Sequence, residues 1–146
     1  MEILSFHGKV LYSDSARTLE KVNLTNCHLR RANLSHKRMR GAIFAFADLD
    51  GSDLSAADLS GANFENANLT MCDFFEANLS NCKFNGARMT KVNLLNSLLY
   101  GADLSKAIID RVRWMGARYD RHTRFPPDFS PEKHGLLFAK RGLWYW

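Results

Sequence analysis

Residues 57–66 read Ala57-Asp58-Leu59-Ser60-Gly61-Ala62-Asn63-Phe64-Glu65-Asn66. One five-residue phrase is written twice there: a small residue, Asp or Asn, a large apolar residue, and two more. Stepping outward by five from Leu59 lands on Leu54, Leu49 and Phe44 on one side and on Phe64, Leu69 and Phe74 on the other. The series runs from Leu19 to Tyr119 without a polar member, 21 positions in a chain that is 46% hydrophobic, which marks an internal repeat. Two residues before each centre the chain is small or apolar, with Arg17 and Lys37 as the exceptions. Asn or Asp stands immediately before 11 of the 21 centres, and six glycines (Gly41, Gly51, Gly61, Gly86, Gly101, Gly116) stand two residues after one. The first proline is Pro126.

Neither regular element fits this spacing. An α-helix would smear a five-residue apolar period around its circumference, and an extended strand would turn every second centre to the opposite face. A chain that turns a corner every five residues fits. The centre and the small residue two before it point inward, the other three face water, and Asn, Asp and Gly suit the corners.

The grammar of Ala57–Gly61 and Ala62–Asn66, sustained over residues 17–121, resembles the pentapeptide-repeat family. The resemblance implies an all-β solenoid, a right-handed quadrilateral β-helix in which four corners close a coil of 20 residues, giving about five coils here. It implies one domain over 1–146: an N-terminal cap (1–16), the array (17–121), and a C-terminal cap with an apolar tail (122–146). Ile3–Phe6 and Lys9–Tyr12 around Gly8 predict a hairpin, and Ser13-Asp14-Ser15 predicts a short helical turn over Ala16–Val22. This resembles N-terminal caps of some bacterial family members. Ser130-Pro131 followed by Gly135 predicts a short capping helix.

Stacking at 20 residues sorts every side chain into columns. Cys27, Cys72 and Cys82 fall in three different inward columns, which makes them core fillers rather than a metal site or a disulfide. Asp53 and Asp73 share an outward column, but no nucleophile or base accompanies them. The five histidines lack metal-ligand spacing. No cofactor, metal or catalytic residue is expected, and the protein is not expected to be an enzyme. Lys37 occupies an inward slot, so either the chain bulges at His36–Arg38 or the ammonium escapes past the first coil. An odd cysteine count, no signal-like N-terminus and no long apolar run predict a cytoplasmic protein with no membrane span.

Charge maps onto height along the rod. Residues 1–40 carry eight basic and three acidic residues, 41–82 none and seven, and 83–146 twelve and five. A basic belt low on the rod holds Arg30, Arg31, Lys37, Arg38 and Arg40, and Arg111, Arg113, Arg118, Arg121 and Arg124 gather above. Some family members resemble duplex DNA in shape and negative charge and modulate DNA gyrase. A net charge of +5 with acid only at the waist departs from that pattern. Weak nucleic-acid binding through the basic ends is a further alternative, less expected than a protein partner. The expected interface is an apolar outward column, Phe75, Leu95 and Met115, with Leu98 and Tyr100 beyond the next corner. The tail, with Leu137, Phe138, Trp144 and Trp146, is expected to cover it, on the same chain or across a two-fold homodimer.

The inward assignment is directly testable. Ala67→Arg places a charge in a filled column and is expected to abolish folding, read by circular dichroism and thermal melting; a variant as stable as wild type would overturn the assignment.

Overall fold

The computed structural model describes residues 1–15 and 18–140. The chain winds as a solenoid whose parallel contacts are spaced at 20 residues, from Asn23↔Ile43 through Ile43↔Asn63 and Asn63↔Lys83 to Lys83↔Asp103. One pentapeptide shows the construction. The Phe44 amide donates up to Asn63 O (2.7 Å), the Phe46 amide to Glu65 O (2.9 Å), and the Asp48 amide down to Cys27 O (2.9 Å). The Ala47 amide turns back to Phe44 O (3.0 Å). That last bond closes a four-residue turn whose third residue has positive φ, the type II arrangement.

The third turn position is left-handed even where it is not glycine: Lys21, Arg31, Phe46 and Met71 have φ of 56°, 56°, 59° and 54°. An L-residue costs roughly 1–2 kcal/mol there. The amide it aims at the next coil offsets that cost, since an unpaired buried amide costs about as much. Asn and Asp before the centres have a different role from the one the sequence suggested. They do not occupy the left-handed position. Their side chains accept the amide two residues on, as in Ser55 N–H to Asp53 Oδ1 (2.8 Å), Glu65 N–H to Asn63 Oδ1 (2.8 Å) and Phe75 N–H to Asp73 Oδ1 (2.9 Å). The ladder leaves this amide unused, and a short side-chain acceptor satisfies it.

Inside, the centres from Leu24 to Leu104 are fully buried, and so are the small residues from Ala32 to Ala102 except Lys37. Phe44, Phe64 and Phe84 stack as a column, with centroids 4.9 and 5.3 Å apart and planes within 2° and 5°. Each such pair adds roughly 0.5–1.5 kcal/mol beyond burial. Lys37 is exposed while its backbone stays in the ladder, donating to Leu34 O (3.3 Å) and accepting from the Asp58 amide (2.9 Å). The ammonium therefore escapes, and the coil does not bulge.

At the base, β1 (Glu2–Leu4) and β2 (Val10–Ser13) form an antiparallel hairpin whose first strand docks under Ala32 through Ser5↔Ala32 and Asn33 N–H to Leu4 O (2.8 Å). The expected helical turn over Ala16–Val22 does not form across its described part. Lys21 is left-handed, and the Val22 amide returns to Leu19 O (3.3 Å). Thr18–Val22 is already repeat: burying Leu19 and Val22 outweighs the local capping signal. Ala16 and Arg17 lie outside the described residues.

At the top, β3 (Arg88–Thr90) and β4 (Ile108–Asp110) pair in parallel. The register then slips by one residue, from 20 to 21, at Asp103↔Arg124. The Asp120 carboxylate pins the extra residue by accepting the amides of Gly101, His122 and Thr123. The expected capping helix is a single 3-10 turn, Glu132–His134, which Gly135 ends at φ 77°. The amides of His134 and Gly135 bond three residues back, to Pro131 O and Glu132 O, and the left-handed Gly135 stops the helix after that turn. β5 (Arg118–Tyr119) then receives β6 (Leu137–Phe138) as a parallel neighbour. Trp114, Tyr119, Phe125 and Phe129 close the core, with ring centroids 5.0 to 6.3 Å apart.

A packing rule between coils follows from three glycines. A Cβ on Gly86, Gly101 or Gly116 would meet the side-chain oxygen of Asn66, Asn81 or Asn96 in the coil below, whereas one on Gly61 meets nothing within 4 Å. Gly61→Ala is expected to cost about 1 kcal/mol in urea unfolding, from its φ alone. Gly86→Ala is expected to cost somewhat more, by what it takes to swing the exposed Asn66 side chain aside. Asn66→Ala combined with Gly86→Ala is expected to cost less than the sum of the two single changes; strict additivity would refute the contact.

Candidate interaction surface

Because the corners fix the backbone, each outward side chain stands at a set height on a set face. The column Phe75, Leu95, Met115 is one such line, with Phe75 and Leu95 half-buried and Met115 71% exposed. Beyond the adjoining corner (Glu76, Asn96, Gly116) stand half-buried Leu98 and exposed Arg118. Glu76, Asn96, Leu98, Gly116, Arg118 and Leu137 line a shallow groove of about 410 Å³. The Leu137 amide donates to Ala117 O (2.8 Å), which brings Leu137 to the groove wall. Phe138 turns instead onto Tyr119, with ring centroids 5.3 Å apart. Tyr100 is half-buried one corner further on, where it lines a second depression with Asn81, Asp120 and His122. The structure thus brings Leu98 and Leu137 to one groove and sets Tyr100 and Phe138 elsewhere. Trp144 and Trp146 lie outside the described residues.

Part of the lower basic belt is paired with acids of adjoining coils. Arg30 bridges Asp48 (3.4 Å) and Asp50, Arg38 meets Glu20 (3.4 Å), and Arg40 binds Asp58. Burial works against the charge of Asp58, yet the Arg40 guanidinium and the Ser60 amide and hydroxyl hold its carboxyl below the usual range. Arg31 remains exposed without an ion pair among the described residues. The upper arginines do not form one cluster: Arg111 pairs with Asp110 (2.8 Å) and Arg124 lies near Asp103 (3.9 Å), on different faces.

The other sequence candidates settle into structural roles. Asp73 Oδ1 accepts the Asn93 side-chain amide (2.9 Å) as well as its own turn amide. Among the described residues no group of three or more His, Cys, Asp or Glu is placed to hold a metal ion. The Cys72 and Cys82 thiols are buried and donate to Leu49 O and Leu59 O, each at 3.1 Å. Burial pushes the Cys82 thiol up to about 12 and the Cys72 thiol higher still. Cys27 is half-buried. Three outward apolar residues escaped the sequence reading, Phe46, Met71 and Ile108, each more than half exposed. The phase rule that found Phe75 and Leu95 finds these too, because all three occupy outward slots.

The family model for the pentapeptide repeat region matches residues 17–94. No curated protein matches the sequence. Among solved structures, the chain is similar to HetL, a pentapeptide repeat protein involved in heterocyst differentiation regulation from the cyanobacterium Nostoc sp. Strain PCC 7120, at 28% identity and a TM-score of 0.58. That match covers 74% of this chain, which spans only 50% of HetL. It is also similar to a pentapeptide repeat protein of the Arabidopsis thaliana thylakoid lumen, at 26% identity and a TM-score of 0.64, over 85% of this chain and 81% of the other. The fluoroquinolone resistance protein QnrB1 matches over 80% of this chain and 67% of its own, at 14% identity and a TM-score of 0.49, a likeness that bears on nothing beyond itself.

The upper closure has a titratable lock. Tyr119 donates its hydroxyl to Glu132 Oε1, and burial, the hydrogen bond and the nearby carboxylate push the phenol up to about 12. A raised phenol pKa means that the folded state holds the proton more tightly than the unfolded chain. This stabilisation is complete below pH ~10 and is lost as pH rises toward ~12. Alkaline melts are expected to show a loss of stability over that window that Tyr119→Phe lacks; matching alkaline profiles would refute the lock.

Proposed function

The chain belongs to the pentapeptide-repeat family, and on that premise we propose that it is a rigid, non-catalytic scaffold that binds another protein. Members of the family are generally non-catalytic, and their fold presents outward columns at fixed heights. The observation that carries the reading is the outward apolar column Phe75, Leu95 and Met115 and, past the adjoining corner, the shallow groove to which Leu98 and Leu137 contribute. Its lining includes Glu76 and Arg118, opposite charges that can orient a bound segment.

The charge pattern supports a protein partner over a duplex-DNA mimic. The chain is net basic, and its acidic waist is partly neutralised by Arg30 and Arg40. Gyrase supercoiling is accordingly expected to proceed unchanged in its presence. Three free cysteines fit a reducing compartment, and the cytoplasm is the location we favour.

Affinity capture from lysate of the source cells, with wild type beside a Leu98→Glu, Met115→Glu double variant, tests the reading. Proteins retained by wild type and lost by at least ~10-fold on the variant are expected, since a charge in the outward column and another in the groove leave any docked apolar side chain badly solvated. Identical retention by both proteins would remove the groove from consideration. Light scattering on a chain truncated after Lys140 separates a foreign partner from a second copy docked through the tail. A homodimer held by the tail becomes a monomer.

A further inference from the structure

In the lower belt Arg30, Arg38 and Arg40 have carboxylates from neighbouring chain turns, while among the described residues Arg31 and Lys37 have none. Above, residues 83–113 carry six basic residues (Lys83, Arg88, Lys91, Lys106, Arg111, Arg113) and only two acidic ones, Asp103 and Asp110. Among the described residues, Arg88, Lys91 and Lys106 have no carboxylate within ion-pair distance, and all three are exposed.

The ladder places them together. In the β3–β4 pair Arg88 faces Ile108 and Thr90 faces Asp110. The Lys91 amide donates to Asp110 O (2.9 Å), which sets Lys91 beside Arg111. The Gly86 amide donates to Lys106 O (3.0 Å), which sets Lys106 at the other edge of the same strands. Four cations therefore stand around Ile108, which is 57% exposed; the acids nearest them are Asp110, already paired with Arg111, and Asp128, which shares a depression with Asp110 and Arg111 at the upper edge. Directly below lie Asn68 and then Asp48, so the positive field ends within two turns of the chain.

We propose that this face, Arg88, Lys91, Lys106 and Arg111 around Ile108, docks a short acidic segment of a partner protein whose carboxylates alternate with at least one apolar side chain. Charge complementarity calls for carboxylates or phosphates, and Ile108 together with the short extent of the field selects between them. A nucleic-acid strand gains affinity from a long cationic track and from aromatic stacking platforms. This patch has no aromatic residue, and a strand running down the rod meets Asp48 and Asp50. An acidic peptide with a leucine or similar residue at its centre matches both the reach of the cations and the apolar middle. The inference rests on reading the protein as an interaction module but concerns a face remote from the groove, so the two fail separately.

Fluorescence anisotropy at low salt tests it with three labelled probes: a short peptide alternating Glu and Leu, an all-Glu peptide of equal length, and a single-stranded oligonucleotide carrying the same charge. The Glu–Leu peptide is expected to bind the full chain most tightly. Ile108→Ser is expected to weaken it roughly fivefold, and the pair Arg88→Glu, Lys106→Glu by about tenfold or more. A remote pair of equal charge, Lys9→Glu with Lys21→Glu, is expected to leave it within about twofold. All these side chains are exposed, so the variants keep the fold. No binding of the Glu–Leu peptide, tighter binding of the oligonucleotide, indifference to Ile108→Ser, or an equal loss with the remote pair would each overturn the proposal.

Discussion

The left-handed residue two places after a centre, present after every centre except Leu104 and Tyr119, is the constraint on which the rest of the molecule depends. It turns the chain at a fixed interval, and every other regularity follows from that interval. It aims one amide at the next coil and returns the amide after it to the centre. It also leaves a third amide for the Asn or Asp that precedes the centre. Where the residue is Phe46, Met71 or Arg31, the backbone holds a conformation those side chains avoid. The strain persists because the coils above and below bond to the same peptide groups, so no single corner can relax alone.

That rigidity separates core chemistry from surface chemistry. Inward columns accept whatever fills them. Ser52 survives among alanines and cysteines by donating to Leu29 O (2.7 Å) and accepting the Ala32 amide (3.1 Å), which leaves no polar atom stranded. Outward columns carry fewer packing demands, so beyond the turn-capping Asn and Asp and the glycines set against Asn side chains their composition reflects solubility and binding. A large apolar residue or an unpaired cation in an outward slot is therefore informative here in a way it is not on an irregular globular surface.

The periodic part of the molecule was legible in the sequence because its signal repeats: one wrong residue in a column, such as Lys37, changes little among so many agreeing positions. The ends were less legible because each is written once. A capping signal at Ser13–Ser15 competed with a repeat phase at Leu19, and only the burial of Leu19 and Val22 decides between them. The same holds for Ser130–Gly135, where a helix signal shrinks to one 3-10 turn. The surface was half legible. Columns predicted which residues share a face, but not which arginine reaches which carboxylate: Arg30, Arg38 and Arg40 looked like one open belt, yet each bends to a neighbour's acid.

The one-residue slip at Asp103↔Arg124 has a bearing on how such a chain can change length. Between Asn23 and Asp103 every column repeats at 20 residues, so duplicating any 20-residue unit there yields a taller rod in which each side chain keeps its neighbours' chemistry. Past Asp120 the offset of one breaks that interchangeability. A duplicated unit placed after it would carry its inward residues to the wrong heights against Trp114 and Phe125. Growth by tandem duplication is thus open in the middle of this molecule and closed at its upper end, and the aromatic closure stays terminal however long the rod becomes.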